Sequence, residues 1–140
     1  MPYSIEYIEK DEGLIILWSG DTTSKELVQS YHDRYSPLER FKKLRYVIID
    51  YCQVASFNIT PGDIKIAADL SNDIAVHNRG LYAVAVMPTD LGFGMARMFQ
   101  SYADDDKTGW HTRITRSREE ACRWLRSELG EDLTFGNNFY

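Results

Sequence analysis

The chain lacks most of the features that advertise a chemistry. Its 140 residues hold only two cysteines, Cys52 and Cys122, far apart and at no metal-ligand spacing. No uninterrupted apolar run approaches the ~20 residues that span a bilayer. No glycine-rich loop with a partner lysine is present to cradle phosphates. Positive charge is also short: 16 Lys and Arg against 21 Asp and Glu leave a net charge of −5. An acidic chain opposes a general nucleic-acid role, because phosphate binding needs a positive surface field. No apolar h-region follows Met1, and the thiols read as reduced, so a cytoplasmic location is expected.

What is present describes an ordinary globular domain, with 44% hydrophobic and 26% charged residues. Such a length buries roughly 68–70% of the unfolded surface. Tyr3–Glu9 alternates large and polar residues, the period of a half-buried strand. After the turn at Lys10–Gly13, the run Leu14-Ile15-Ile16-Leu17-Trp18 closes a hairpin. Thr23 and Glu26 have capping-box spacing, and Leu27, Val28, Tyr31 and Tyr35 follow as one helical stripe up to Ser36-Pro37.

Tyr46-Val47-Ile48-Ile49 is apolar on both faces, like a central parallel strand. A loop should then lead to Thr60-Pro61, an N-cap followed by proline in the first turn, and to the stripe Ile64, Ala67, Ala68, Ser71 and Ala75. Leu81–Met87 reads as a second such strand. Pro88-Thr89-Asp90 opens a third helix with Leu91, Met95, Met98, Phe99 and Tyr102 on one side, closed by Asp104-Asp105-Asp106. Trp110–Thr115 alternates like an edge strand. Ser117 and Glu120 repeat the capping-box spacing before a last helix whose core side is Ala121, Cys122, Leu125 and Leu129. The order β-β-α-β-α-β-α-β-α demands a single-domain α/β fold, a mostly parallel five-stranded sheet with right-handed crossovers. Residues 1–130 form that domain and 131–140 an aromatic tail.

The stretch from Val47 to Thr60, an apolar strand ending in Asp50 with Val54 four residues later, resembles the middle of a STAS domain. The segment Leu91-Gly92-Phe93-Gly94-Met95-Ala96-Arg97-Met98-Phe99 is similar to the SpoIIAA-like, or STAS/SEC14, branch of bacterial proteins. The likeness covers roughly Tyr3 to Leu129. It implies a binding module, either an anti-sigma-factor antagonist or a lipid-carrier-like domain that associates peripherally with membrane, and not an enzyme. In the antagonists an Asp-Ser-Ser-Gly motif caps the next helix and is phosphorylated on serine. Here Asn58 and Thr60 occupy the aspartate and serine places, while Ile59 and Pro61 depart from the pattern. On its residues alone, Thr60 is a helix cap contributing ~1 kcal/mol.

Three functional readings follow. In the first, a small apolar or lipid-like ligand lies between the third and fourth helices and the sheet. Phe93, Met95, Met98 and Phe99 line its cleft, and Arg97 and Arg113 meet an anionic end. Core packing is the plainer account of those side chains. In the second, a protein partner binds the loop around Asn58 and Thr60. In the third and least favoured, Asp21, Asp50 and Asp90 converge at the strand ends to hold a metal for catalysis. Carboxylates at helix starts explain Asp21 and Asp90 more simply.

His32, His77 and His111 read as surface residues. The basic excess of Lys107, Arg113, Arg116, Arg118, Arg123 and Arg126 reads as a solvated face, with an anionic partner as the alternative. No cofactor is expected. Phe135, Phe139 and Tyr140 together with the edge strands offer surfaces for a homodimer.

Overall fold

A computed structural model describes residues 2–103, 108–136 and Phe139. Met1, Asp104, Asp105, Asp106, Lys107 and Tyr140, named above, lie outside the described residues, as do Asn137 and Asn138. The elements run β1 (Tyr3–Ile8), β2 (Gly13–Thr23), α1 (Ser24–Arg34), a short α2 (Leu38–Phe41), β3 (Tyr46–Asn58), α3 (Pro61–Ile74), β4 (Tyr82–Val86), α4 (Asp90–Tyr102), β5 (His111–Thr115) and α5 (Arg118–Leu129). The five strands lie side by side in chain order. β1 pairs antiparallel with β2, and every other pairing is parallel. The fold is α/β with a mostly parallel sheet.

The strand order decides where the helices go. Each parallel connection steps to the next strand in the same direction. A right-handed crossover then puts α1, α3 and α4 on one face, where α1 packs on α3 and α3 on α4. Only α5, which follows the last strand, covers the other face, against β3, β4 and β5. The third and fourth helices of the sequence reading, α4 and α5, therefore lie on opposite faces. No cleft forms between them.

Strand alternation divides the core accordingly. Leu14, Ile16, Trp18 and Val47 pack under α1 and α3. Ile15, Tyr46, Ile48, Val84 and Val86 face Ala121, Cys122 and Leu125 of α5. Gly13 belongs to this second layer by necessity, because a Cβ there would sit 2.0 Å from the Tyr46 ring.

β3 is longer than its apolar run suggests. Beyond Asp50 its residues look like loop, yet Gln53–Asn58 pair with Ser19–Thr23 across two register shifts. β4 ends opposite Asp50, so β2 and β3 continue past it as a two-stranded arm.

Two stripes also need correction. Val28 is 41% exposed, and the buried side of α1 is instead Leu27, Ser30 and Arg34. On α4, Leu91 is 65% exposed and Tyr102 also faces outward. Thr23 is the N-cap of α1 but makes no side-chain capping bond. At α5, Ser117 accepts from the Glu120 N–H at 3.2 Å, while the Glu120 carboxylate reaches the Arg116 N–H rather than closing a box.

The aromatic tail completes the second layer. Leu133, Phe135 and Phe139 are buried against it. One carboxylate pins them: Asp11, 2% exposed, accepts from the Tyr46 hydroxyl at 2.7 Å, the Phe135 N–H at 2.7 Å, and the Thr134 N–H and hydroxyl at 2.9 and 3.0 Å. Burial alone would raise its pKa, but these donors more than compensate and hold it below the usual carboxylate value. A folded-state pKa below the unfolded value of about 3.9 gives stability that is complete above that range. It is lost as the pH falls through the lowered folded value. Asp11→Asn, which turns one acceptor oxygen into a donor facing donors, should cost about 2–3 kcal/mol at neutral pH. The variant should also lose part of the wild type's stability decline below about pH 4, as read by urea denaturation at several pH values.

Candidate functional site

Under α1, α3 and α4 the sheet is floored with small side chains. Tyr82-Ala83-Val84-Ala85-Val86 alternates so that Tyr82, Val84 and Val86 fill the α5 side, while the opposite side receives only Ala83 and Ala85. Facing them, α3 presents Ala67 and α4 presents Ala96. Small residues on floor and roof leave a cavity of about 110 Å³. That is far more than one water needs, and of the order that holds a small organic molecule.

Large side chains close the walls. Met95 and Phe99 come from α4, Leu27, Tyr31 and Tyr35 from α1, and Ile49 from β3. Tyr51 and Phe57 of the arm, and Ile59 just beyond it, cover the end. Trp110 is held in place by its indole N–H, which donates to the Asn78 carbonyl at 2.8 Å. The cavity lies along the face of β3, β4 and β5 beneath the helices, and its lining runs from Trp110 before β5 to Met87 after β4.

Into this apolar space projects one cation. Arg34, the last residue of α1, is 3% exposed and lines the cavity. One Nη donates to the Ser30 hydroxyl at 3.0 Å, and that hydroxyl in turn donates to the Leu27 carbonyl at 2.6 Å. The guanidinium carbon lies 4.2 Å from the Tyr31 ring centroid and 5.7 Å from that of Tyr35. The Nε–H is buried without an acceptor. No carboxylate pairs with the group among the described residues.

Burial opposes the charge, but the phenol oxygens of Tyr35, Tyr31 and Tyr51 outweigh it and push the Arg34 pKa up. Burial pushes the Tyr35 phenol up to about 12 although Arg34 acts the other way, and it raises Tyr51 too. All three groups hold their neutral-pH protonation states.

The structure distributes the residues singled out in the sequence unevenly. Met95 and Phe99 line the cavity. Arg113 touches its wall, but its guanidinium carbon lies 5.9 Å from the Trp124 ring on the α5 side. Phe93 faces away and carries Arg116 at 4.3 Å and Arg97 at 5.8 Å. Neither Arg97 nor Met98 is part of the wall.

Thr60 caps α3, its hydroxyl accepting from the Asp63 N–H at 3.2 Å while the Asp63 carboxylate accepts from the Thr60 N–H at 2.8 Å. Asn58 ends β3 in the open.

The three aspartates do not converge. Asp21 accepts from the Ser56 hydroxyl at 2.6 Å, buried Asp50 pairs with Arg118 at 2.6 Å, and Asp90 pairs with Arg116 at 3.0 Å on the surface. Among the described residues no three His, Cys, Asp or Glu side chains form a metal-binding group. Cys52 is exposed as a residue. Partial desolvation of its sulfur and the adjacent Asp50 carboxylate nevertheless push its thiol up to about 11, so no thiolate is offered at neutral pH. The basic excess is largely used internally, since Arg123 pairs with Glu119 and Arg126 donates to the Leu133 carbonyl.

Sequence reasoning missed Arg34. The signal was available: Arg34 stands seven residues after Leu27 and three after Tyr31, inside the buried stripe.

No helix among the described residues is long and apolar enough to cross a membrane. No family model matches the chain, and no curated protein matches it.

The glycines of α4 separate into two kinds. A Cβ at Gly92 would lie 3.1 Å from both the Met87 sulfur and the Thr89 hydroxyl, whereas one at Gly94 would meet nothing within 4 Å. Gly94→Ala should therefore stabilise the protein by about 0.5–1 kcal/mol through helix propensity. Gly92→Ala should give no such gain. Chemical denaturation of both variants reads the difference.

Proposed function

We propose that this protein is a non-catalytic binding module, of the STAS/SEC14-like kind that its central strand and third helix resemble, which holds a small apolar or lipid-like ligand. The observation that carries the reading is the cavity itself. A chain of this size ordinarily packs such a space with a leucine or valine. Here Ala83, Ala85, Ala67 and Ala96 surround it from both sides. The apolar wall supplies affinity by taking hydrocarbon out of water, at about 25 cal/mol for each Å² buried.

The position of the site supports the same reading. It is bounded by α4, whose first five residues include two glycines, and by the β2–β3 arm, which extends past the rest of the sheet. Both are elements whose displacement opens the cavity without breaking the central strands. Capture of a partner at Asn58 and Thr60 is a weaker reading. The Thr60 hydroxyl is engaged in the helix cap, and Pro61 follows where the resembled motif has glycine.

Native mass spectrometry of gently purified protein is expected to show a co-purifying apolar species. Ala85→Leu, which fills the floor, is expected to remove that species while leaving thermal stability equal or higher, because its side chain enters empty space rather than a packed core. Wild type that never carries such a mass, together with a marked destabilisation of Ala85→Leu, would show that the space is closed and packed in solution.

A further inference from the structure

We propose that the ligand is an apolar monocarboxylate and that Arg34 binds its carboxylate inside the cavity. The inference rests on the cavity being a ligand site, and it deepens that reading by naming the chemical class. Two observations independent of the apolar wall carry the carboxylate, and the wall itself sets the rest of the ligand.

Arg34 is 3% exposed yet has no carboxylate partner among the described residues, in a protein with 21 acidic side chains. Buried arginines are ordinarily paired, because an uncompensated charge in a low-dielectric interior is costly. The neighbouring groups only soften that cost. Tyr31 supplies the face of its ring, Ser30 a single hydroxyl, and the α1 C-terminus the negative end of its dipole.

Donor capacity is also unspent. The guanidinium has five N–H groups in a planar fork, and its hydrogen bonds to the Ser30 hydroxyl and the Tyr35 phenol do not use them all. The buried Nε–H lacks an acceptor altogether. A carboxylate fits a planar fork with two parallel hydrogen bonds.

The surroundings set the rest of the ligand. Among the described residues, one cation and no second basic group projecting into the space match a single negative charge better than a doubly charged phosphate monoester. The floor of Ala83 and Ala85 and the walls of Ile49 and Phe99 ask for hydrocarbon next to that charge. A volume of about 110 Å³ takes a short chain or a compact ring directly. Tyr31, Tyr35 and Tyr51 also line the cavity, and a phenol hydroxyl is a hydrogen-bond donor available to complete the anion's shell.

The test is calorimetric titration of the full chain, freed of bound lipid, with hexanoate and with hexanamide. The two probes have the same shape and differ in charge. Hexanoate is expected to bind at least about tenfold more tightly to the wild type, the effect of a charge-assisted fork. Arg34→Met should bring hexanoate down to the affinity of hexanamide and leave hexanamide within about twofold. Should Arg34→Met fail to fold, the wild-type preference decides together with Arg34→Lys, which keeps the charge but not the fork and should fall between the two. Equal binding of both probes by the wild type would overturn the carboxylate and leave the apolar cavity standing. A hexanoate preference that survives in Arg34→Met would overturn the role of Arg34. Binding of neither probe would overturn both the carboxylate and the cavity as a ligand site.

Discussion

Five strands in chain order, joined by right-handed crossovers, permit only one distribution of helices, and everything of functional interest descends from it. Three helices must share one face, and one helix with the tail must serve the other. A single helix covers less sheet than three do. The face behind α5 therefore needs Leu133, Phe135 and Phe139, and the buried Asp11 carboxylate holds the segment that carries them. The crowded face has the opposite problem. Three helices over five short strands supply more side-chain volume than a flat floor accepts unless some positions are small. Alanines at 83, 85, 67 and 96 meet that requirement beyond what packing asks, and a cavity results.

The fold was legible because its signals are local. Alternation in Tyr3–Glu9, the doubly apolar Tyr46–Ile49, the proline after Thr60 and the spacing of Ile64, Ala67, Ala68 and Ser71 each report one element without reference to others. Where sequence reasoning erred, the missing information was non-local. Gln53–Asn58 look like loop because their strand partner, Ser19–Thr23, is more than thirty residues away and the pairing shifts register twice. Thr23 and Glu26 have the spacing of a capping box, yet spacing does not fix the rotamers that would make the bonds.

The site divides the same way. Met95 and Phe99 were accessible from the helical stripe of α4, since the side facing the sheet follows from period alone. Arg97 and Arg113 were attractive as charges beside an apolar cleft, but the strand pleat sends the Arg113 side chain to Trp124, and the exposed side of α4 carries Arg97 with Phe93. Arg34 was passed over because a lone arginine near a helix end is ordinarily a solvated residue. Burial reverses that meaning. The alternation of alanine in β4 was equally visible, and only the opposing alanines of α3 and α4 show that it makes a void.

A buried guanidinium without a counter-ion among the described residues asks what keeps it there. Removing such a charge from water costs several kcal/mol even after relaxation. A ring face supplies up to ~2 kcal/mol when desolvated, and a helix C-terminus up to a similar amount. One hydrogen bond donated to the Ser30 hydroxyl adds about 1.5–3 kcal/mol. These contributions are enough to hold Arg34 in place and not enough to satisfy it, since Nε still faces no acceptor. Replacing Arg34 by an apolar residue would relieve the folded protein of that cost, so stability alone does not explain its presence. That unmet donor lies in the wall of a mostly apolar cavity, and this pairing of one unsatisfied cation with hydrocarbon is the ground on which the proposed carboxylate rests.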